Sequence, residues 1–64
     1  MVLTNTEKTY LRLWGQGLSY REIADHEYIS YETVRSHFRN VREKYRTKLV
    51  NVLVRCIKSG EIVI

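Results

Sequence analysis

The sequence predicts an all-α fold of four short helices, on three observations. No proline interrupts the 64 residues, and the β-branched alternation that marks strands is scarce. Two Ser/Thr-x-x-Glu boxes, Thr4-Asn-Thr-Glu7 and Ser19-Tyr-Arg-Glu22, mark helix starts: each hydroxyl accepts an amide three residues on while the glutamate reaches back to the cap amide. Apolar residues then recur at helical spacing through Tyr31–Tyr45. A chain this short is one domain, residues 1–64, and buries only about 60% of its unfolded surface, so association with a partner would add stability. Composition, at 44% hydrophobic and 28% charged, is that of a folded domain and not of a disordered segment.

In the first helix Tyr10, Leu11, Leu13 and Trp14 cover an arc of about 160°, with Lys8, Arg12 and Gln16 opposite, so one side lies on a core. Gly15-Gln-Gly17 ends it, with Gly17 as the expected left-handed residue and Leu18 folding back toward Leu13. Trp14 reads as a core anchor in preference to a stacking platform for bases. Ser19 opens a short second helix bearing Ile23 and Ala24, which must stop by His26 or Glu27 because Ile29 and Ser30 lead into the next one.

The third helix is predicted over 31–45, with Ser30 as N-cap and Glu32 in the first turn, where the dipole favours an anion. Val34, His37, Phe38, Val41 and Tyr45 share one face; Arg35, Arg39, Arg42 and Arg46 line the other. Exposed pairs of Glu32 with Arg35, Arg39 with Glu43 and Glu43 with Arg46 would contribute only about 0.3–0.5 kcal/mol each. Four arginines against two glutamates leave that row positive, on a rod of the width the DNA major groove admits. Two helices joined by a tight turn, the second basic on its outer face, make a helix-turn-helix.

A fourth helix is predicted over 48–58, with Thr47 as its expected cap and Gly60 at its end. Its Leu49, Val50, Val52, Leu53, Val54, Cys56 and Ile57 span about 200°, more than one small core needs. The surplus predicts a C-terminal dimerisation helix that pairs through Leu49, Val50, Leu53, Val54 and Ile57. Singly exposed aliphatics at Val50 and Val54 are the plainer alternative. Ile62, Val63 and Ile64 form an apolar tail to which the pattern assigns no conformation.

The net charge of +4 suits an acidic partner. With no apolar run near the length of a membrane span, and Thr4 to Lys8 interrupting any signal-peptide core, a cytoplasmic, nucleoid-associated chain without a membrane partner is expected. The lone Cys56 fits a reducing compartment. Only His26, Glu27, His37 and Cys56 suggest a metal or catalytic site, and the two histidines, eleven residues apart, lack ligand spacing. His37 is expected on the core side, hydrogen-bonded to backbone, and His26 exposed. No glycine-rich phosphate loop or nucleophile-base pair is present. Neither an enzyme nor a metal or cofactor is expected.

With the helices placed, the chain resembles the DNA-binding domain of the LuxR/GerE family of bacterial transcription regulators over nearly its whole length. The matching residues are Leu3-Thr4 with Glu7, Leu11 and Leu13; Gly17 and Ser19; Glu22-Ile23-Ala24; Ile29-Ser30; Thr33-Val34-Arg35; His37; Asn40-Val41; Lys44; and Gly60. The resemblance implies a third helix in the major groove and a fourth that dimerises. By the same likeness Arg35, Ser36 and Arg39 would face base edges, and Arg21, Thr33 and Asn40 would meet phosphates. That division is chemically apt, since arginine pairs bidentately with guanine while hydroxyls, amides and point charges fix register on the backbone. Tyr20 and Tyr31, at helix starts, would add backbone contacts, as would Arg42 further along. The chain departs from the family where Glu27 replaces a leucine, leaving Tyr28 to turn inward or the core weaker there. It departs again where Tyr45-Arg46-Thr47 replaces a leucine, a glycine and an aliphatic, and where the stretch to Gly60 runs one residue short.

The function expected is a stand-alone, sequence-specific DNA-binding regulator that reads two half-sites of double-stranded DNA as a homodimer, about 34–36 Å apart or a multiple of that. The alternative is a small interaction module or antagonist that uses the fourth helix to pair with a larger regulator or an RNA polymerase subunit. A piece of a sigma factor is a third, weaker reading.

Overall fold

Both capping boxes form. In the computed structural model, which describes residues 3–63, Thr4 Oγ1 accepts the Glu7 N–H at 3.1 Å and Glu7 Oε1 accepts the Thr4 N–H at 2.9 Å. Ser19 and Glu22 repeat the exchange at 3.2 and 2.9 Å. These starts, with Ser30 accepting the Thr33 N–H, define α1 (Asn5–Gly15), α2 (Tyr20–Glu27) and α3 (Tyr31–Tyr45). The last helix, α4 (Leu49–Ser59), begins on Lys48, which makes no side-chain cap bond. Thr47 is therefore not its cap; its hydroxyl accepts from Asn51 Nδ2 at 3.0 Å instead. No strand occurs among the described residues, as the all-α prediction requires.

Helix ends follow the chemistry of a positive φ. Gly17 at φ 103° lets the Leu18 N–H return to Leu13 O at 3.2 Å, which folds Leu18 onto the core. Gly60, at φ 82°, closes α4 in the same way, after which Glu61 and Ile62 donate to Cys56 O and Ile62 is buried. Two non-glycine residues also take the left-handed conformation, Tyr28 ending α2 and Arg46 ending α3. Arg46 stands where the resemblance implies a glycine. Tyr28 does not turn inward to replace the missing leucine: it is 95% exposed, while Ile29 packs partly against the core and Glu27 stays half-buried beside His26, with Nδ1 to Oε2 at 2.8 Å.

α1 and α3 each pack against all the other helices, whereas α2 and α4 do not meet. The core gathers Leu3, Tyr10, Leu11, Leu13, Ile23, Val34, Phe38, Val41, Leu49, Val52, Leu53, Cys56 and Ile62 among others. Phe38 lies at its middle, with Tyr20 stacked at 4.7 Å and 9° and Trp14 tilted at 6.4 Å. Burying each such side chain stabilises the fold by about 1.5–3 kcal/mol. Leu49 and Leu53, read from sequence as dimer contacts, belong to this core at 6% and 9% exposure. The periodicity could not divide an arc of that width between one core and a second surface.

Glu7 is the one charged residue buried among those described. Beyond its cap it accepts from Lys44 Nζ at 2.7 Å, which ties the start of α1 to the last turn of α3. Burial alone would raise its carboxyl. The Lys44 ammonium and the Thr4 donors outweigh that and hold it below the ordinary value. Burial also raises the Cys56 thiol, with Glu61 adding to the effect, so this cysteine is a packed apolar group and not a reactive one.

Because the folded carboxyl is depressed, its stabilisation is present above the ordinary value of 4.5 and is lost as pH falls from there through the folded pKa. Glu7→Gln, which keeps the cap, should lose about 1–2 kcal/mol near neutrality by urea denaturation, a gap that closes in acid. Lys44→Met, which strands the carboxylate, should lose more, about 2–3 kcal/mol. Tyr28→Gly should raise the thermal midpoint, since relief of the left-handed strain exceeds the added chain entropy by about 0.5–1 kcal/mol.

Candidate nucleic-acid interface

The rotation of α3 about its own axis decides which side chains can meet a partner. Val34, Phe38 and Val41 are all but fully buried, so the rest of the α3 surface faces outward; Arg39 lies about 130° round the helix from that stripe, and Arg35 and Arg42, on its flank, are exposed as well. Arg35 approaches Glu32 at 3.8 Å, a loose contact between side chains 62% and 74% exposed. Such a pair is worth about 0–1 kcal/mol and yields readily to a stronger acceptor. Arg39 and Arg42 make no ion pair among the described residues. Neither Arg39–Glu43 nor Glu43–Arg46 closes.

The expected contact residues fall into two groups. Ser36 and Asn40 line a shallow groove on the outer surface of α3 with Glu32, Thr33 and His37. His37, half-buried, meets the Tyr10 ring in a T-shaped contact at 5.1 Å. Thr33 Oγ1 lies 2.8 Å from Ser30 Oγ, at the capped N-terminus of α3. The second group bridges the two helices of the motif: Tyr20 is half-buried on Phe38, Tyr31 lies 6.4 Å from Tyr20, and Arg21 Cζ lies 5.6 Å over the Tyr31 ring. Arg42 stands apart from both. It lines a recess with Trp14, Lys48, Leu49 and Val50 at the junction of α3 and α4.

Residues 1–57 match the family described as bacterial regulatory proteins, luxR family, by its GerE domain. The chain belongs to the LuxR family. No curated protein and no solved structure matches the chain. As a LuxR-family helix-turn-helix domain it falls among DNA-binding transcription regulators, whose members are not enzymes. Among the described residues no helix is long and apolar enough to cross a membrane.

Two features of this LuxR-family domain escaped the sequence reading. The Glu7–Lys44 bond was hidden because Glu7 already had a role as a cap. A signal existed, for Lys44 falls only about 60° from Val41 on the helical wheel, on the packed side. The other is the Tyr31–Arg21 contact, which joins residues ten apart in sequence and so follows no helical periodicity. Of the expected dimer residues, Val50, Val54 and Ile57 are 50%, 42% and 43% exposed and recur at i, i+4 and i+7, a single row on the outer side of α4.

Proposed function

We propose that this LuxR-family domain is a sequence-specific regulator that lays α3 in the DNA major groove. Arg35, Ser36 and Arg39 read base edges, and Tyr20, Arg21, Thr33 and Asn40 fix the register on phosphates. One observation supports this above the rest: α3 buries its apolar stripe completely while its opposite side offers guanidinium groups with at most a loose internal partner. An arginine that has no strong ion pair to break can give both N–H groups to guanine O6 and N7. Arg42, beside Lys48 in its recess, contributes positive charge toward the backbone at the far end of α3.

Homodimerisation through Val50, Val54 and Ile57 is the second half of the proposal. Two copies related by a two-fold axis would bury that apolar row against itself. The same row favours one competing reading, in which α4 pairs with a different protein such as a larger regulator or a polymerase subunit. Salt separates the two, because phosphate neutralisation makes duplex affinity fall steeply with ionic strength whereas an apolar helix contact barely responds.

Selection of duplexes from a random pool should yield a preferred site. On that site Arg39→Ala should cost about 1–3 kcal/mol and relax the preference, whereas Arg21→Ala should weaken all duplexes alike and reduce the salt slope by about 1. Equal losses on preferred and random duplexes for Arg39→Ala would remove it from base reading. Val54→Asp should abolish self-association in sedimentation equilibrium without unfolding the domain. A wild-type chain that stays monomeric at all concentrations would instead assign α4 to another partner.

A further inference from the structure

We propose that Tyr31 is a positioning residue whose ring holds the Arg21 guanidinium ready for a backbone phosphate, its hydroxyl taking no part in binding. This rests on the DNA-binding reading above and gives Tyr31 a different role from the phosphate contact that its place at a helix start suggests.

A ladder of rings runs outward from the core. Trp14 lies 6.4 Å from Phe38, Phe38 is stacked on Tyr20 at 4.7 Å, Tyr20 is tilted against Tyr31 at 6.4 Å, and Arg21 ends the ladder 5.6 Å over Tyr31. Exposure rises along it, from a buried Phe38 through a half-buried Tyr20 to Tyr31 at 40% and an exposed Arg21. Outward from Phe38 each rung rests on a more buried one, so the outermost ring inherits its place from the core. Arg21 pairs with no carboxylate among the described residues. The negative face of the Tyr31 ring is the attraction that localises its charge.

Binding explains why that localisation matters. An arginine side chain has much rotamer freedom, and gripping a phosphate must freeze it. A guanidinium already narrowed to positions over a ring loses less at that step. With no carboxylate partner to give up, the N–H fork remains available to phosphate oxygens. The platform spans the two helices of the motif, Arg21 coming from α2 and Tyr31 from α3, so the phosphate grip and the reading helix keep one relative position.

A mutant cycle on a mixed-sequence synthetic duplex at low salt tests this, with Tyr31→Leu, Tyr31→Phe, Arg21→Ala and the Arg21→Ala/Tyr31→Leu double variant. Tyr31→Leu should weaken binding by roughly two- to fivefold and do nothing further in the Arg21→Ala background, while Tyr31→Phe should match wild type. A loss in Tyr31→Phe equal to that in Tyr31→Leu assigns the effect to the hydroxyl and overturns the proposal. So does the same factor for Tyr31→Leu in both backgrounds, which is what a merely structural tyrosine gives. A second measurement needs no DNA: in the free protein the Arg21 side-chain protons should show an upfield ring-current shift that persists in Tyr31→Phe and vanishes in Tyr31→Leu. Duplex binding without that shift overturns the platform alone. The shift without any duplex binding overturns the DNA-binding reading, and the role of Tyr31 with it.

Discussion

Burial of the Val34, Phe38 and Val41 stripe is the constraint from which the outer surface follows. A helix has one free rotation about its axis once its ends are placed, and three side chains with almost no solvent contact remove it. Turning α3 by a third of a revolution would drag Phe38 off Tyr20 and Trp14 and carry guanidinium groups toward the core, where an unpaired charge costs several kcal/mol. The outward arginine row is thus a result of apolar packing rather than of any attraction among the charges.

Electrostatics enters at the far end of the same helix. Lys44 donates to Glu7 from the last turn of α3, and Glu7 in turn caps α1. Of the ion pairs among the described residues it is the one with a deeply buried member, the Glu7 side chain being 5% exposed, and it joins residues from distant parts of the chain. Aromatic packing near the first turns of α3 and a charge-assisted bond at its last turn fix the helix at two separated points. Position and tilt then have little latitude.

Much of this was legible before any coordinates. The two capping boxes, the glycine turn at Gly17 and the Gly60 stop follow from backbone chemistry that acts within a few residues, which is why α1, α2 and α4 begin or end close to where the pattern puts them. The buried face of α3 was legible for the same reason. What was not legible depends on pairs brought together only by folding: Glu7 with Lys44, and Arg21 with Tyr31. The apolar arc of α4 is wider than this core covers, since Val50, Val54 and Ile57 stay exposed, but periodicity does not say how it divides, and Leu49 and Leu53 go inward. At Tyr28 the side chain stays in water because the left-handed turn that ends α2 sets its direction, whatever volume the missing leucine leaves.

Only residues 46–48 separate α3 from α4, and the first of them is locked in a left-handed turn. So short and bent a joint, clamped by the shared core, acts as a weld. Were two copies to pair through α4, the gap between their reading helices would be set by rigid geometry, and each inserted base pair would also rotate one half-site out of phase. A dimer of that kind would measure length as strictly as it would read letters, and tolerance for altered operators would have to come from the duplex bending, not from the polypeptide.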